Sequence, residues 1–175
     1  MSHVNVAKQI LVVGVGNEFR GDDAAGLWIA RRIAEQSLEG VSVVEVSGEG
    51  GQLIDLWQDA GHVFVFDAVR SGCDAGKVHR ISADTETVPS KFFNYSTHTF
   101  SVAEAVETAR ALEEMPEHLV LYGVEGDCFD MKVGLSPKVE QAVETVVERA
   151  MEEVSSVRSE LRLFLGHDTR RDNHA

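Results

Sequence analysis

Residues 10–26, ILVVGVGNEFRGDDAAG, constrain the fold more than any other part of the chain. Ile10, Leu11, Val12 and Val13 leave no polar face, so they read as a strand buried on both sides, as in a parallel sheet. Gly14 and Gly16 then permit a sharp turn, and Asp22 and Asp23 stand where the next helix begins. In open α/β sheets the loops beyond the carboxyl ends of the strands build the site. Two adjacent acids held on such a loop are the first indication of chemistry.

The rest of the chain repeats this strand–helix alternation. Apolar residues at Ala24, Leu27, Trp28, Ala30, Ile33, Ala34 and Leu38 predict a helix over 24–38, with Asp22 as N-cap and Gly40 ending it. Residues 41–46 are rich in β-branched side chains and read as a second strand, followed by a glycine-rich turn and a short helix over 52–59. HVFVF at 62–66 is a third buried strand that ends at Asp67, and a short strand follows over 77–81. Residues 82–97 are polar and irregular, with Phe92, Phe93 and Tyr95 fitting core packing better than a partner anchor. Ser101 and Glu104 form a capping-box pattern for a helix running to about Glu114, closed by Pro116. Residues 118–122 give the last strand. Ser136-Pro137 starts a helix that carries apolar residues at Val139, Val143, Val146, Ala150 and Val154 and reaches toward Leu165. The expected architecture is one domain over 1–165, a three-layer α/β/α sandwich around a mostly parallel, roughly five-stranded sheet, with 166–175 as a flexible tail.

Composition narrows the function classes. A formal net charge of −13 argues against nucleic acid or anionic membrane as partners. No apolar run approaches the roughly 20 residues that span a bilayer. The N-terminus lacks the pattern of a signal peptide, and Cys73 and Cys128 form no CxxC, so a reduced, cytoplasmic protein is expected.

Three positions lie at strand ends or helix starts where the sheet would gather them on one edge: Asp23 (with Asp22) after the first strand, Asp67 at the third, and His98 before the capping box. Two carboxylates and an imidazole suit a divalent metal such as nickel or zinc. Each residue also has an ordinary reading. An acid at a helix start commonly caps it, which suits Asp22 better than Asp23. An acid at a strand end commonly serves a turn, and a histidine before a helix is commonly structural. Dinucleotide binding is disfavoured, because Phe19 occupies the third glycine position of GxGxxG and no acid ends the second strand. Neither a Walker loop nor a GxSxG elbow is present.

GVGNEFRGDDAAG at 14–26, FDAV at 66–69, STHTF at 96–100, GVEG at 123–126 and GLSP at 134–137 follow one another in an order and spacing that resemble the hydrogenase maturation endopeptidases. Each motif alone is weak; five in order are specific, and the resemblance runs from Ile10 to about Val147. It implies an endopeptidase that removes the C-terminal extension of a [NiFe] hydrogenase large-subunit precursor after nickel insertion. It assigns metal contacts to Asp23, Asp67 and His98, with Asp23 and Asp67 as the catalytic acids. Asp22 would position its neighbour, and Asn17 and Gly21 would shape the loop. The nickel would come with the precursor and not be a permanent cofactor. The alternatives are a non-catalytic nickel-sensing or carrier module and a nucleotide-binding domain.

Overall fold

The computed structural model describes residues 9–47, 50–89 and 101–168. Five strands form one sheet: β1 (Gln9–Val15), β2 (Val41–Val46), β3 (Ala60–Val69), β4 (Val78–Ser82) and β5 (His118–Glu125). Their order is β2-β1-β3-β5-β4, all parallel except β4, which runs antiparallel to β5. The helices are α1 (Ala25–Ala34), α2 (Gly50–Trp57), α3 (Val102–Ala111) and α4 (Pro137–Asp168).

The period-two alternation of β1 shows why this sheet needs helices on both sides. Leu11, Val13 and Val15 join a core with Leu53 and Trp57 of α2 and Val102 and Val106 of α3. Ile10 and Val12 join a second core with Ile29 and Ile33 of α1 and Val139, Val143 and Val146 of α4. The result is the expected three-layer sandwich.

Glycine sets how closely α1 sits on the sheet. A Cβ on Gly26 would lie 2.2 Å from the Phe66 carbonyl oxygen and 2.4 Å from that of Val15. The first turn of α1 therefore rests directly on the backbones of β1 and β3, one residue before Asp67.

Several boundaries differ from the sequence expectation. α1 ends at Ala34, and the chain leaves the helix through Ser37 in the left-handed region (φ 47°). β3 does not end at Asp67 but continues to Val69, paired with β5. β5 continues past Tyr122 to Glu125, so most of GVEG is strand. α3 stops at Ala111, whereas α4 passes Gly166 and reaches Asp168. The capping box is present: Glu104 N donates to Ser101 Oγ and Ser101 N to the Glu104 carboxylate. Phe92, Phe93, Tyr95 and His98, and the tail from 169 onward, lie outside the described residues.

Candidate active site at the carboxyl edge of the sheet

The sheet order creates the crevice. From β1 the chain passes through α1 to β2 on one side, whereas β3 lies on the other side of β1. α1 covers one face of the sheet and α2 and α3 the opposite face. The connections leaving β1 and β3 therefore diverge, which makes the β1–β3 boundary a topological switch point, where open α/β sheets bind their ligands.

Asp23 and Asp67 both stand at that boundary. Asp23 lies in a single 3₁₀ turn, Gly21–Ala24, between β1 and α1. Gly16 holds this turn against the strand end: its φ is +147°, and a Cβ there would fall 1.9 Å from the Asp23 carbonyl oxygen. No side chain other than hydrogen satisfies both conditions. Asn17 shapes the approach, its Oδ1 accepting from Phe19 N at 3.0 Å. Gly21, at φ +55°, donates its N–H to the Lys132 carbonyl at 2.8 Å.

Asp67 lies one residue past the last β1–β3 pair, Gly14 with Phe66, and pairs with Gly123 of β5. The β1–β3 pairing stops just before it, so this part of β3 is paired on the β5 side. Even so, Asp67 is only 8% exposed. Burial pushes its carboxyl well above the usual carboxylate range, the nearby negative charge of Asp23 pushes it further, and the Ala68 N–H only partly opposes both. The two acids thus feel each other across the crevice, and burial and the charge of Asp23 both disfavour the ionised form of Asp67.

The sign gives a test on the isolated protein. A carboxyl whose folded value is raised contributes stability below its unfolded value of about 3.9, and loses it as pH rises through the folded value. Asp67→Asn is therefore expected to raise the thermal midpoint of the metal-free protein at neutral pH, by about 2–4 °C for each 1 kcal/mol gained. The gain should shrink toward zero near pH 4. Thermal melts of both proteins across this range check the prediction.

Asp22 is not the helix cap expected of it. Ala24 occupies the N-cap position of α1, with no side-chain cap bond. The Asp22 carboxylate turns instead to the loop between β5 and α4. Its Oδ2 accepts from Asp127 N (2.8 Å), Cys128 N (2.8 Å) and Ser136 Oγ (2.9 Å), and its Oδ1 from Ser136 N (2.6 Å). Burial works to raise this carboxyl, but the four donated hydrogen bonds outweigh it and hold Asp22 below the usual range. Adjacent acids therefore have opposite tasks: Asp22 is a saturated anion that ties two loops together, and Asp23 faces its partner acid.

Glu125 was not singled out from the sequence. It is 1% exposed at the end of β5, and its Oε1 accepts from the backbone N–H groups of Ser71, Gly72 and Cys73. It organises the loop leaving β3. The GVEG motif was the available signal, but the motif does not show which backbone the carboxylate holds.

The sequence pattern of the hydrogenase maturation protease family matches residues 29–153, most of the chain. The chain belongs to the hydrogenase maturation protease family. It is 30% identical over 146 residues to the hydrogenase 2 maturation protease of Escherichia coli K12, covering 82% of this chain and 88% of that protein. It is 27% identical over 147 residues to the hydrogenase expression/formation protein HupD of Thiocapsa roseopersicina, covering 82% of this chain and 66% of that one. The solution structure of an endopeptidase from Escherichia coli matches with a TM-score of 0.72 at 26% identity, over 85% of this chain and 93% of that one. The hydrogenase maturating endopeptidase HybD from Escherichia coli, at 23% identity, has the same fold (TM-score 0.67, over 85% and 93%). Membership makes the chain a peptide hydrolase, and the crevice holding Asp23 and Asp67 is its candidate active site.

Proposed function

We propose that this maturation protease removes the C-terminal extension of a [NiFe] hydrogenase large-subunit precursor after nickel insertion. Asp23, Asp67 and His98 would contact the nickel that the precursor carries. One observation supports this most: Asp67 of β3 and Asp23, in the turn that follows β1, stand together at the switch point, and the negative charge of Asp23 helps raise the Asp67 carboxyl. Such a pair gains most from a divalent cation, which removes their repulsion and favours both ionised forms. Asp67 belongs to the sheet face covered by α3, whose cap Ser101 follows His98 closely in the chain, and this supports His98 as the third contact.

Peptide hydrolysis needs a polarised carbonyl and a water made nucleophilic. A metal ion polarises a carbonyl, and a carboxylate beside it acts as general base for the water. Asp23 and Asp67 are the two groups placed for that second role. Because the nickel arrives with the substrate, an unloaded precursor would leave the site without its cation, and cutting would wait for metal insertion.

The decisive assay incubates the protein with nickel-loaded and nickel-free precursor and follows the mobility shift of the large subunit. Only the loaded form should be cut. Cleavage of both would remove the nickel check, and cleavage of neither would favour a nickel-sensing module over a protease. The reaction is placed in the cytoplasm, where the two free cysteines, Cys73 and Cys128, stay reduced. Among the described residues no helix is long and apolar enough to cross a membrane.

The rim of the crevice offers contact surface for the precursor. Phe19 (57% exposed), Met131 (80%) and Val133 (76%) lie on two loops joined by the Arg20–Lys132 bridge and by the Asp22 hydrogen bonds. Exposed large apolar groups beside a peptide-cutting site suit binding more than chemistry. Phe19→Ser with Met131→Ser should raise KM for the precursor about tenfold with kcat unchanged, as measured by processing rates against precursor concentration.

A further inference from the structure

A second group of metal-ligating side chains stands on the same sheet edge, apart from Asp23 and Asp67. Cys73 in the β3–β4 loop, His79 on β4 and Glu125 on β5 each bring a ligand atom within 4.8 Å of the other two. We propose that Cys73 Sγ, His79 Nε2 and Glu125 Oε2 form a binding site for a divalent cation that accepts thiolate, of the zinc type.

The geometry supports this ligand by ligand. His79 Nε2 lies 3.4 Å from Glu125 Oε2, long for a hydrogen bond. In a tetrahedral zinc site with metal–nitrogen and metal–oxygen bonds of 2.0–2.1 Å, the same two atoms stand about 3.3 Å apart. The imidazole and carboxylate are already spaced as ligands. The thiol must close to roughly 3.6 Å from each, given a metal–sulfur bond of about 2.3 Å. Cys73 is exposed and in no disulfide, and its thiol already lies within 4.8 Å of the other two ligand atoms.

Around these atoms the structure supplies the support that metal ligands need. Glu125 is divided between two tasks. Oε1 takes the three loop N–H groups, whereas Oε2 takes the Ser71 hydroxyl at 2.8 Å and keeps acceptor capacity toward His79. Ser71 therefore fixes the carboxylate without blocking the metal. Lys77 Nζ donates to Cys73 Sγ at 3.6 Å. Thiolate, imidazole and carboxylate together select zinc or a neighbouring transition ion over calcium or magnesium. Three protein ligands leave the fourth position to water. A bound ion would staple the β3–β4 loop to β4 and β5, immediately downstream of Asp67.

Cobalt(II) is the probe, because thiolate coordination gives it a charge-transfer absorption that oxygen and nitrogen ligands do not. Titration of the reduced wild-type protein should show that absorption saturating at one equivalent, and added zinc should abolish it. Cys73→Ser should lose the absorption, and His79→Ala should weaken cobalt binding about tenfold or more, both with unchanged circular dichroism. Asp67→Asn should leave the absorption intact, which separates this site from the crevice between β1 and β3. The proposal is overturned if the wild-type protein gives no thiolate absorption, if the absorption survives Cys73→Ser, or if Asp67→Asn removes it.

Discussion

Asp67→Asn should reduce processing of a nickel-loaded precursor by at least about a hundredfold, and Asp23→Asn and His98→Ala should do the same. The Asp67 variant is the sharpest of the three because its effect on folding has the opposite sign. Burial and the charge of Asp23 disfavour ionisation of Asp67, and asparagine has the size of that carboxyl without its charge. The variant should therefore fold and melt no lower than the wild type while losing the anion proposed to meet the nickel. Loss of activity with retained stability points to chemistry, which a merely structural aspartate would not give. Asp23→Glu keeps an oxygen donor on the same loop and should retain processing within about tenfold of the wild type. The measurements are the rate of the precursor's mobility shift and a thermal melt of each variant. An Asp67→Asn protein that processes at the normal rate would remove Asp67 from the site.

Why the placement of Asp23 and Asp67 on one sheet edge was legible in the sequence, and other features were not, follows from the range of the forces involved. The apolar run of β1 and the helical spacing of α1 and α4 are local patterns, and local patterns survive in one dimension. An acid beside a strand end is equally local. The reach of β5 to Glu125 is not. Gly123 looks like a turn residue, yet the strand continues through it, paired with Asp67 and His79, and a Cβ there would lie 2.7 Å from Val69 Cγ1 on the neighbouring β3. Its missing side chain is a packing requirement set by a residue distant in sequence. Glu125 was hidden for the same reason, since its partners belong to the 71–73 loop. A carboxylate inside a buried strand is unfavourable, which points to a strand end at Asp67; instead β3 runs on to Val69, paired with β5 beyond its last pair with β1. The assignment of Asp22 was correct as a structural role and wrong in its partner: hydrogen-bond donors at 127, 128 and 136 cannot be inferred from a position at 22.

That partner exchange makes Asp22→Ala the most damaging substitution expected for the fold, at about 3–5 kcal/mol. Asp22 is fully buried, and its removal leaves the N–H groups of Asp127, Cys128 and Ser136 and the Ser136 hydroxyl without their acceptor in a site closed to water. Asparagine is not a remedy. Its single oxygen replaces one carboxylate oxygen, and its NH₂ then faces an N–H donor on the other side, because both carboxylate oxygens accept from backbone N–H groups. Asp22→Asn should therefore cost nearly as much as alanine, unlike Asp67→Asn, which should stabilise. The pH dependence runs the other way too. A carboxyl held below its unfolded value of about 3.9 contributes stability above that value and loses it as pH falls through the folded one. The wild type should lose the advantage of Asp22 in acid, and the gap to Asp22→Ala should narrow there. Urea unfolding at pH 7 and in acid reads both effects, and a loss under about 1 kcal/mol at pH 7 would contradict the assigned role. Processing should fall along with stability, since the loop that Asp22 secures backs the turn that carries Asp23.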